Sequence, residues 1–447
     1  MQGAARVLIV GKDTKSDEDL VKALHTSGFE TYAGSIEQSA SEVSGQRRPD
    51  IVILNMDSPE AQQNPKAFVA MARTLKESAL SSRMRVLMVG GSHQMSLEGV
   101  DKDIDDLLLG PIKTVQICHR VQSLIRLNTM HEELVRRLNT SAKYGVDAPP
   151  PVHPPTKLDN ASILFMGNAQ GYGAIENALY KRVTLISALT FTTAMDYLNR
   201  SSFDTILIDV GSEPENYLDF IRDLRRNSRF YNLPILMLTD PGCLGDPAIA
   251  YEAGVTDFIE KPVSQDELQV RTTSLVREQR FRTSLRQIYS EARHFATNDA
   301  LTGLYSRGFM LEHLANVISD AKRTSQTFTV AAIEIRNMRE INEILGYASG
   351  DRLIRQVGEL IGLLVRGEDL ATRYTGHGFI IILPDTVSDY AVQAIKRISG
   401  VVNHTEFAIQ GHNHPVSVSL NTGITGFDIK DTPEDIIDRA WSLAKPA

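Results

Sequence analysis

One short stretch of this sequence carries residues whose types and spacing can do chemistry. Arg366-Gly367-Glu368-Asp369 sets an arginine and a carboxylate three residues apart. An arginine fork can place two hydrogen bonds on guanine O6 and N7 or on a phosphate, and an aspartate can accept from the guanine N1–H and N2–H₂ edge. Taken alone, the same spacing also describes a solvated turn of mixed charge. The overall charge sharpens the question. Lys+Arg 47 against Asp+Glu 55 gives −8, whereas nonspecific binding to nucleic acid or anionic lipid rewards positive charge. Neither partner is expected, and any anionic ligand must find local arginines.

The elements that would position such residues follow from length and patterning. A chain of 447 residues is about three domains of roughly 150 residues. Apolar runs at 7–10, 51–54 and 86–89 alternate with helix-period stretches, the pattern of a doubly wound parallel sheet. Runs at 163–166, 205–208 and 235–238 repeat it. Between the copies lies the proline-rich segment 148–155, which favours an extended spacer. From Val263 a long helix is expected through about Phe295, with a short heptad seam at Phe281, Leu285, Ile288, Ala292 and Phe295 that suits either packing on its own domain or a dimeric connector. A third pattern follows: a strand at 328–335, a helix at 348–364, a hairpin over 371–383, a helix at 388–402, a strand at 416–423 and a helix from Pro433. This reads as an α+β palm-like domain. The expected division is 1–145, a spacer 146–158, 159–280, a connecting helix 281–298, and 299–447.

Cys118 and Cys243 lie far apart without metal-ligand spacing, which indicates neither a disulfide framework nor a zinc site and fits a reducing compartment. Residues 1–20 lack the features of a signal peptide, and no apolar stretch reaches the ~20 residues that span a bilayer. A cytoplasmic protein without membrane insertion is expected.

The segments Asp50-Ile51-Val52-Ile53-Leu54-Asn55 and Asp204-Thr205-Ile206-Leu207-Ile208-Asp209 resemble the third strand of response-regulator receiver domains. The resemblance implies flavodoxin-like sheets with reactive residues at the carboxyl ends of the strands. Receiver chemistry needs an acidic pair for Mg²⁺, an aspartate nucleophile, a hydroxyl and a lysine, which supply or neutralise charge during phosphoryl transfer. The first unit has Gly11 and Lys12, Asn55, Gly90 and Gly110 at these positions and should not be phosphorylated; Asp13 and Asp57 read as solvated loop acids. The second keeps Asp209, with Thr239 and Lys261-Pro262, as a candidate phosphoacceptor, but its acidic pair reads Gly167-Asn168. Weak Mg²⁺ binding is expected there, because hard cations need oxygen anions.

Asp299-Ala300-Leu301-Thr302-Gly303-Leu304-Tyr305-Ser306-Arg307 resembles the entry signature of GGDEF domains, the diguanylate cyclase family. Two receivers followed by such a domain is similar to PleD-type cyclases. The resemblance implies that the active hairpin, Gly-Gly-Asp/Glu-Glu-Phe in the family, is here Thr375-Gly376-His377-Gly378-Phe379. Glu334 replaces the strand aspartate, histidine is a poor ligand for a hard ion, and Gly378 has no side chain. Condensation of GTP, and any bound metal or cofactor, is therefore not expected. Asn342 and Asp351 match the family's guanine-recognising pair, which either allows vestigial GTP binding or merely caps and solvates a helix start. Arg339, Arg373 and Lys445 occupy basic positions near the substrate phosphates. Arg366 and Asp369 resemble the family's RxxD inhibitory site for cyclic di-GMP, with Arg397 as its second arginine.

The resulting expectation is a homodimeric, catalytically inactive receptor for cyclic di-GMP that controls docking of protein partners. By resemblance to degenerate members of this group, those partners include proteolytic adaptors at a cell pole. The alternatives are a weak or conditional diguanylate cyclase and a phosphorylation-dependent response regulator.

Overall fold

The apolar runs become strands because β-branched and aliphatic side chains fit a sheet covered on both faces. The computed structural model describes residues 5–444 except 12–14, 35–48, 64–67, 69, 75–83, 92–103, 111, 145–157, 159, 180–182, 212–213, 228, 292–296 and 413. Two compact units emerge, one formed by Ala4–Asn128 with His153–Arg280, the other mainly by Thr129–Val152 with Phe281–Ala447.

The first unit holds two parallel five-stranded sheets. Strands β1 (Arg6–Val10), β2 (Glu30–Gly34), β3 (Ile51–Asn55), β4 (Arg85–Val89) and β5 (Asp106–Leu108) run in the order β2-β1-β3-β4-β5. The described helices here are α1 (Lys15–Thr26), α2 (Pro59–Gln63) and the start of α3 (Thr114–Ala142). The second sheet combines β6 (Ala161–Met166), β7 (Val183–Ala188), β8 (Thr205–Gly211), β9 (Ile235–Thr239) and β10 (Asp257–Glu260) in the order β10-β9-β8-β6-β7. It carries α4 (Ala169–Leu179), α5 (Phe191–Arg200), α6 (Glu215–Arg226), α7 (Ala248–Ala253) and the start of α8 (Gln265–Glu291). Both sheets have the flavodoxin-like order and gather loops at the carboxyl ends of their strands. Cores lie on both faces of each sheet.

A buried charge network joins the two copies. Asp106 and Arg120 stand fourteen residues apart, as do Asp257 and Arg271, and Arg271 Nε donates to Asp257 Oδ2 at 2.8 Å. Arg120 pairs with Asp106 and also lies 3.3 Å from Asp257 Oδ2, while Arg271 pairs with Glu267 at 2.8 Å. All five side chains are almost fully buried. Burial works against the charge of Arg271, but Asp257 and Glu267 hold its guanidinium above its ordinary range.

In the second unit, β11 (Phe328–Ile335), β12 (Leu370–Arg373), β13 (Gly378–Pro384) and β14 (Leu420–Gly426) form an antiparallel sheet in the order β12-β13-β11-β14. Around it lie α9 (Arg307–Thr324), α10 (Met338–Leu345), α11 (Tyr347–Leu364), α12 (Ser388–Asn403) and α13 (Pro433–Ala444), with cores on both faces. Strand β11 matches the expected span. The last strand differs: Val416 makes an isolated bridge with Phe407, and regular pairing begins at Leu420.

The boundary expected at 145 falls beyond a helix that runs unbroken from Thr114 to Ala142. Its first half buries Ile117, Val121 and Leu124 at helical spacing; from Thr129 onward it clusters with the second unit. Helix α8 likewise extends from Gln265 to Glu291. Of the proposed heptad seam only Phe281 and Leu285 have described side chains, both buried; Ile288, Ala292 and Phe295 lie outside them. The spacer 146–158 also lies outside the described residues apart from Leu158.

Candidate functional site

The Arg366–Asp369 motif forms the turn between α11 and β12. The turn closes on itself: Asp369 Oδ2 accepts the Arg366 N–H at 2.8 Å, and Arg366 O accepts the Asp369 N–H at 3.2 Å. Arg397, on α12, donates through Nη2 to Leu364 O at 3.2 Å. All three expected ligand residues therefore converge on residues 364–369. Arg366 and Arg397 are half-buried, whereas Asp369 is buried. One Asp369 oxygen is committed to the backbone of its own turn, so in this state the carboxylate orders the motif and the arginines form its outward part.

Sequence reasoning missed what stands behind this turn. Arg137, on the distal part of α3, donates through Nη2 to Glu368 O at 2.8 Å and to Asp369 O at 2.9 Å. Gly367 lies against Arg282 of α8, and a side chain there would begin 2.9 Å from Arg282 Cγ. Any larger residue would force Arg282 or the turn to shift.

The degenerate catalytic hairpin connects β12 to β13. Glu334, the penultimate residue of β11, stands directly opposite Gly378 in the strand register, and His377 Nε2 lies 3.6 Å from Glu334 Oε1. Thr375 and Gly376 complete the turn. A carboxylate and an imidazole do not fit Mg²⁺, which prefers several oxygen ligands in octahedral array, and no group of three or more metal-ligating side chains exists among the described residues. Gly378 is also crowded: a Cβ there would collide with Thr375 Oγ1 and Trp441 Cη2 and lie 3.1 Å from Trp441 Cζ2. Trp441 stacks on Tyr374 with ring centroids 6.1 Å apart, and Arg307 covers Tyr374 at 4.5 Å. An indole thus occupies the space through which a catalytic carboxylate would leave the strand.

The basic residues expected near substrate phosphates are turned to other uses. Arg373 donates from Nε and Nη2 to Gly376 O at 3.1 and 2.7 Å and lies 3.3 Å from Asp299 Oδ2. Arg339 pairs with Glu343 on exposed helix surface, and Lys445 lies outside the described residues. Asn342 is on α10 and Asp351 on α11. The residue before Asp351, Gly350, abuts the Asn342 amide so closely that any Cβ would collide with Oδ1.

At the second receiver-like sheet, Lys261 Nζ lies 2.7 Å from Asp209 Oδ1 and 3.3 Å from Asp240 Oδ1. Burial would lower the Lys261 pKa, but hydrogen bonds and charge from Asp209 and Asp240 hold it above its ordinary range. Thr239 is fully buried at the end of β9. Gly167 and Asn168 stand where the acidic pair would be; Asn168 Oδ1 accepts the Gly171 N–H at 2.7 Å, and a Cβ at Gly171 would collide with Asp209 Oδ2. In the first sheet Asn55 Oδ1 accepts the Asp57 N–H at 3.0 Å, and Asp57 Oδ1 accepts the Gly91 N–H at 2.9 Å. Asp57 is exposed yet tied across two loops, so it is more than the solvated acid expected; Lys12 and Asp13 lie outside the described residues.

Residues 296–444 match the family described as Diguanylate cyclase, GGDEF domain, and residues 174–273 match the Response regulator receiver domain. The chain therefore combines a receiver domain with a GGDEF domain in the manner of a PleD-like response regulator. Response regulator PleD of Caulobacter vibrioides is 24% identical over 446 residues, covering 98% of this chain and 95% of PleD. Diguanylate cyclase DosC of Escherichia coli (strain K12) is 30% identical over 167 residues, or 36% of each protein. The crystallised GGDEF domain of DgcB from Caulobacter crescentus, in complex with c-di-GMP, aligns at TM-score 0.33 and 23% identity, covering 34% of this chain and 88% of that one.

Proposed function

We propose that this protein is a noncatalytic receptor for cyclic di-GMP, similar to PopA among degenerate PleD-type proteins, in which ligand at Arg366, Asp369 and Arg397 controls docking of protein partners. The observation that carries the reading is the convergence of these three residues on the turn that enters β12, the strand whose far end leads into a hairpin with His377 and Gly378 in place of carboxylates. The ligand is a dianion and the chain is net negative, so affinity comes from short, directed contacts rather than the overall field. Arg366 and Arg397 supply forked donors for guanine or phosphate. Asp369 either keeps the turn closed beneath the ligand or releases the Arg366 N–H and accepts from a guanine edge.

Without the two carboxylates the phosphoryl-transfer centre lacks the charge stabilisation on which such reactions depend. Asn342 and Asp351 leave GTP as a weak ligand. The two receiver-like domains act as dimerisation and docking surfaces, and the complex works in the cytoplasm, with recruitment to a pole and to a proteolytic adaptor. Incubation of the purified protein with GTP and Mg²⁺, followed by nucleotide chromatography, tests the reading: no cyclic di-GMP is expected, and product would return the chain to the cyclases.

A further inference from the structure

We infer that Arg137 is a positioning residue for the Arg366, Asp369 and Arg397 site, and that α3, which carries it, couples that site to the first receiver-like domain; the inference rests on the proposed reading of the site as one for cyclic di-GMP. Arg137 is 2% exposed, and a guanidinium is buried at such depth only when its donors and charge are satisfied. Its Nη2 donates to the carbonyls of Glu368 and Asp369 at 2.8 and 2.9 Å, and its Nε to Glu133 Oε1 at 2.7 Å. The guanidinium also lies 5.6 Å from the centre of the Tyr305 ring.

Glu133 is itself fixed. It is fully buried, with Arg136 Nη1 at 2.7 Å and His313 Nε2 at 2.9 Å, and Arg136 Nε is anchored to Asp320 Oδ2 at 3.1 Å. Burial would push the Glu133 carboxyl up, but the His313 and Arg137 contacts hold it well below the usual carboxylate range. Glu133 therefore keeps a negative charge that orients the Arg137 fork. The two peptide planes thus held are the last two of the ligand motif.

The same turn is backed by Arg282 against Gly367, so two long helices support the motif while Arg366 and Arg397 remain half-exposed. Helix α3 begins at Thr114 in the first unit and is continuous to Ala142. A ligand that draws Asp369 outward must rotate the turn against the Arg137 hydrogen bonds; a shift along α3 moves Arg137 and the turn with it. Coupling of this kind is reciprocal.

The test uses the full chain and cyclic di-GMP itself. Isothermal titration is run on the parent, Arg137→Ala, Arg137→Lys and Arg366→Ala, each checked by circular dichroism and thermal melting. Hydrogen exchange across residues 114–128 is measured with and without saturating ligand. Folded Arg137→Ala should bind roughly 5- to 150-fold more weakly, the range of typical coupling energies, and Arg137→Lys should recover part of the loss. Ligand should change exchange in 114–128 of the parent and leave Arg137→Ala unchanged, a response that simple weakening of the turn would not abolish at saturation. Parental or tighter binding by folded Arg137→Ala overturns the inference, as does a ligand-bound parent with no exchange response. If Arg137→Ala does not fold, Arg137→Lys decides by the same two readouts. When Arg366→Ala alone loses affinity, the site stands and the coupling falls; when Arg366→Ala binds like the parent, or the parent does not bind, the site itself is wrong and the inference falls with it.

Discussion

Gly378→Glu restores a catalytic carboxylate on paper and should damage the fold instead. The residue sits in a strand pair opposite Glu334, and its carbonyl accepts the Tyr374 and Thr375 N–H groups at 2.9 and 3.1 Å. The backbone therefore cannot retreat. On the other side a Cβ meets Thr375 Oγ1 and the Trp441 ring, which is stacked on Tyr374 beneath Arg307. Overpacking of this sort costs about 1–3 kcal/mol. For a domain of roughly 150 residues, about 2–4 °C of melting temperature is lost per kcal/mol, so Gly378→Glu should melt about 2–12 °C below the parent. His377→Glu, on a half-exposed side chain without such a steric neighbour, should melt closer to it, the only added cost being a small repulsion from the Glu334 carboxylate. A double-mutant cycle with Trp441→Ala isolates the cause: the paired loss should be smaller than the sum of the single losses. The same cycle in the background Thr375→Gly/His377→Glu, followed by chromatography after incubation with GTP and Mg²⁺, should give no more than trace product while Trp441 is present. Parental melting of Gly378→Glu, or strictly additive losses, would refute the steric reasoning.

Other consequences follow from the buried charges and the altered receiver. Acetyl phosphate with Mg²⁺ should leave Asn55 unlabelled and label Asp209 poorly, because Gly167 and Asn168 replace the acidic pair that would hold the Mg²⁺; stoichiometric labelling abolished by Asp209→Ala would contradict this. Arg120→Met should destabilise by roughly 3–5 kcal/mol in denaturant titration, since it strands the Asp106 carboxylate in a dry interior, whereas Asp257 keeps Arg271. Glu133 has a depressed pKa in the folded chain, so its stabilisation is present above its unfolded value of about 4.3 and is lost as pH falls below it. Glu133→Gln should therefore lower stability at neutral pH and flatten the acid limb of the melting curve.

The doubly wound sheets were legible because buried parallel strands advertise themselves as short apolar runs: 51–54 and 235–238 become β3 and β9 almost unchanged. The palm-like hairpin was legible from its turn residues and from resemblance. Charged interior positions were not. Arg120, Arg271, Glu133 and Arg137 occur in helices whose composition suits solvent, and only their distant partners make burial tolerable. The fourteen-residue spacing shared by Asp106/Arg120 and Asp257/Arg271 was visible in principle, as part of the repeat, but spacing alone does not say that two copies meet. Trp441 was equally silent. Loss of carboxylates at His377 and Gly378 could be read directly, whereas the indole against Gly378 comes from α13, more than sixty residues later.

The account is tested most directly by titrating the full chain with cyclic di-GMP and comparing Arg366→Lys and Arg366→Ala with it. The parent should bind saturably. Losing one bidentate guanine contact should weaken folded Arg366→Ala by roughly 1–3 kcal/mol, about 5- to 150-fold, and Arg366→Lys should also bind worse because a point charge cannot reproduce the fork. A parent that gives no binding, or a folded Arg366→Ala that binds as tightly as the parent, would contradict it.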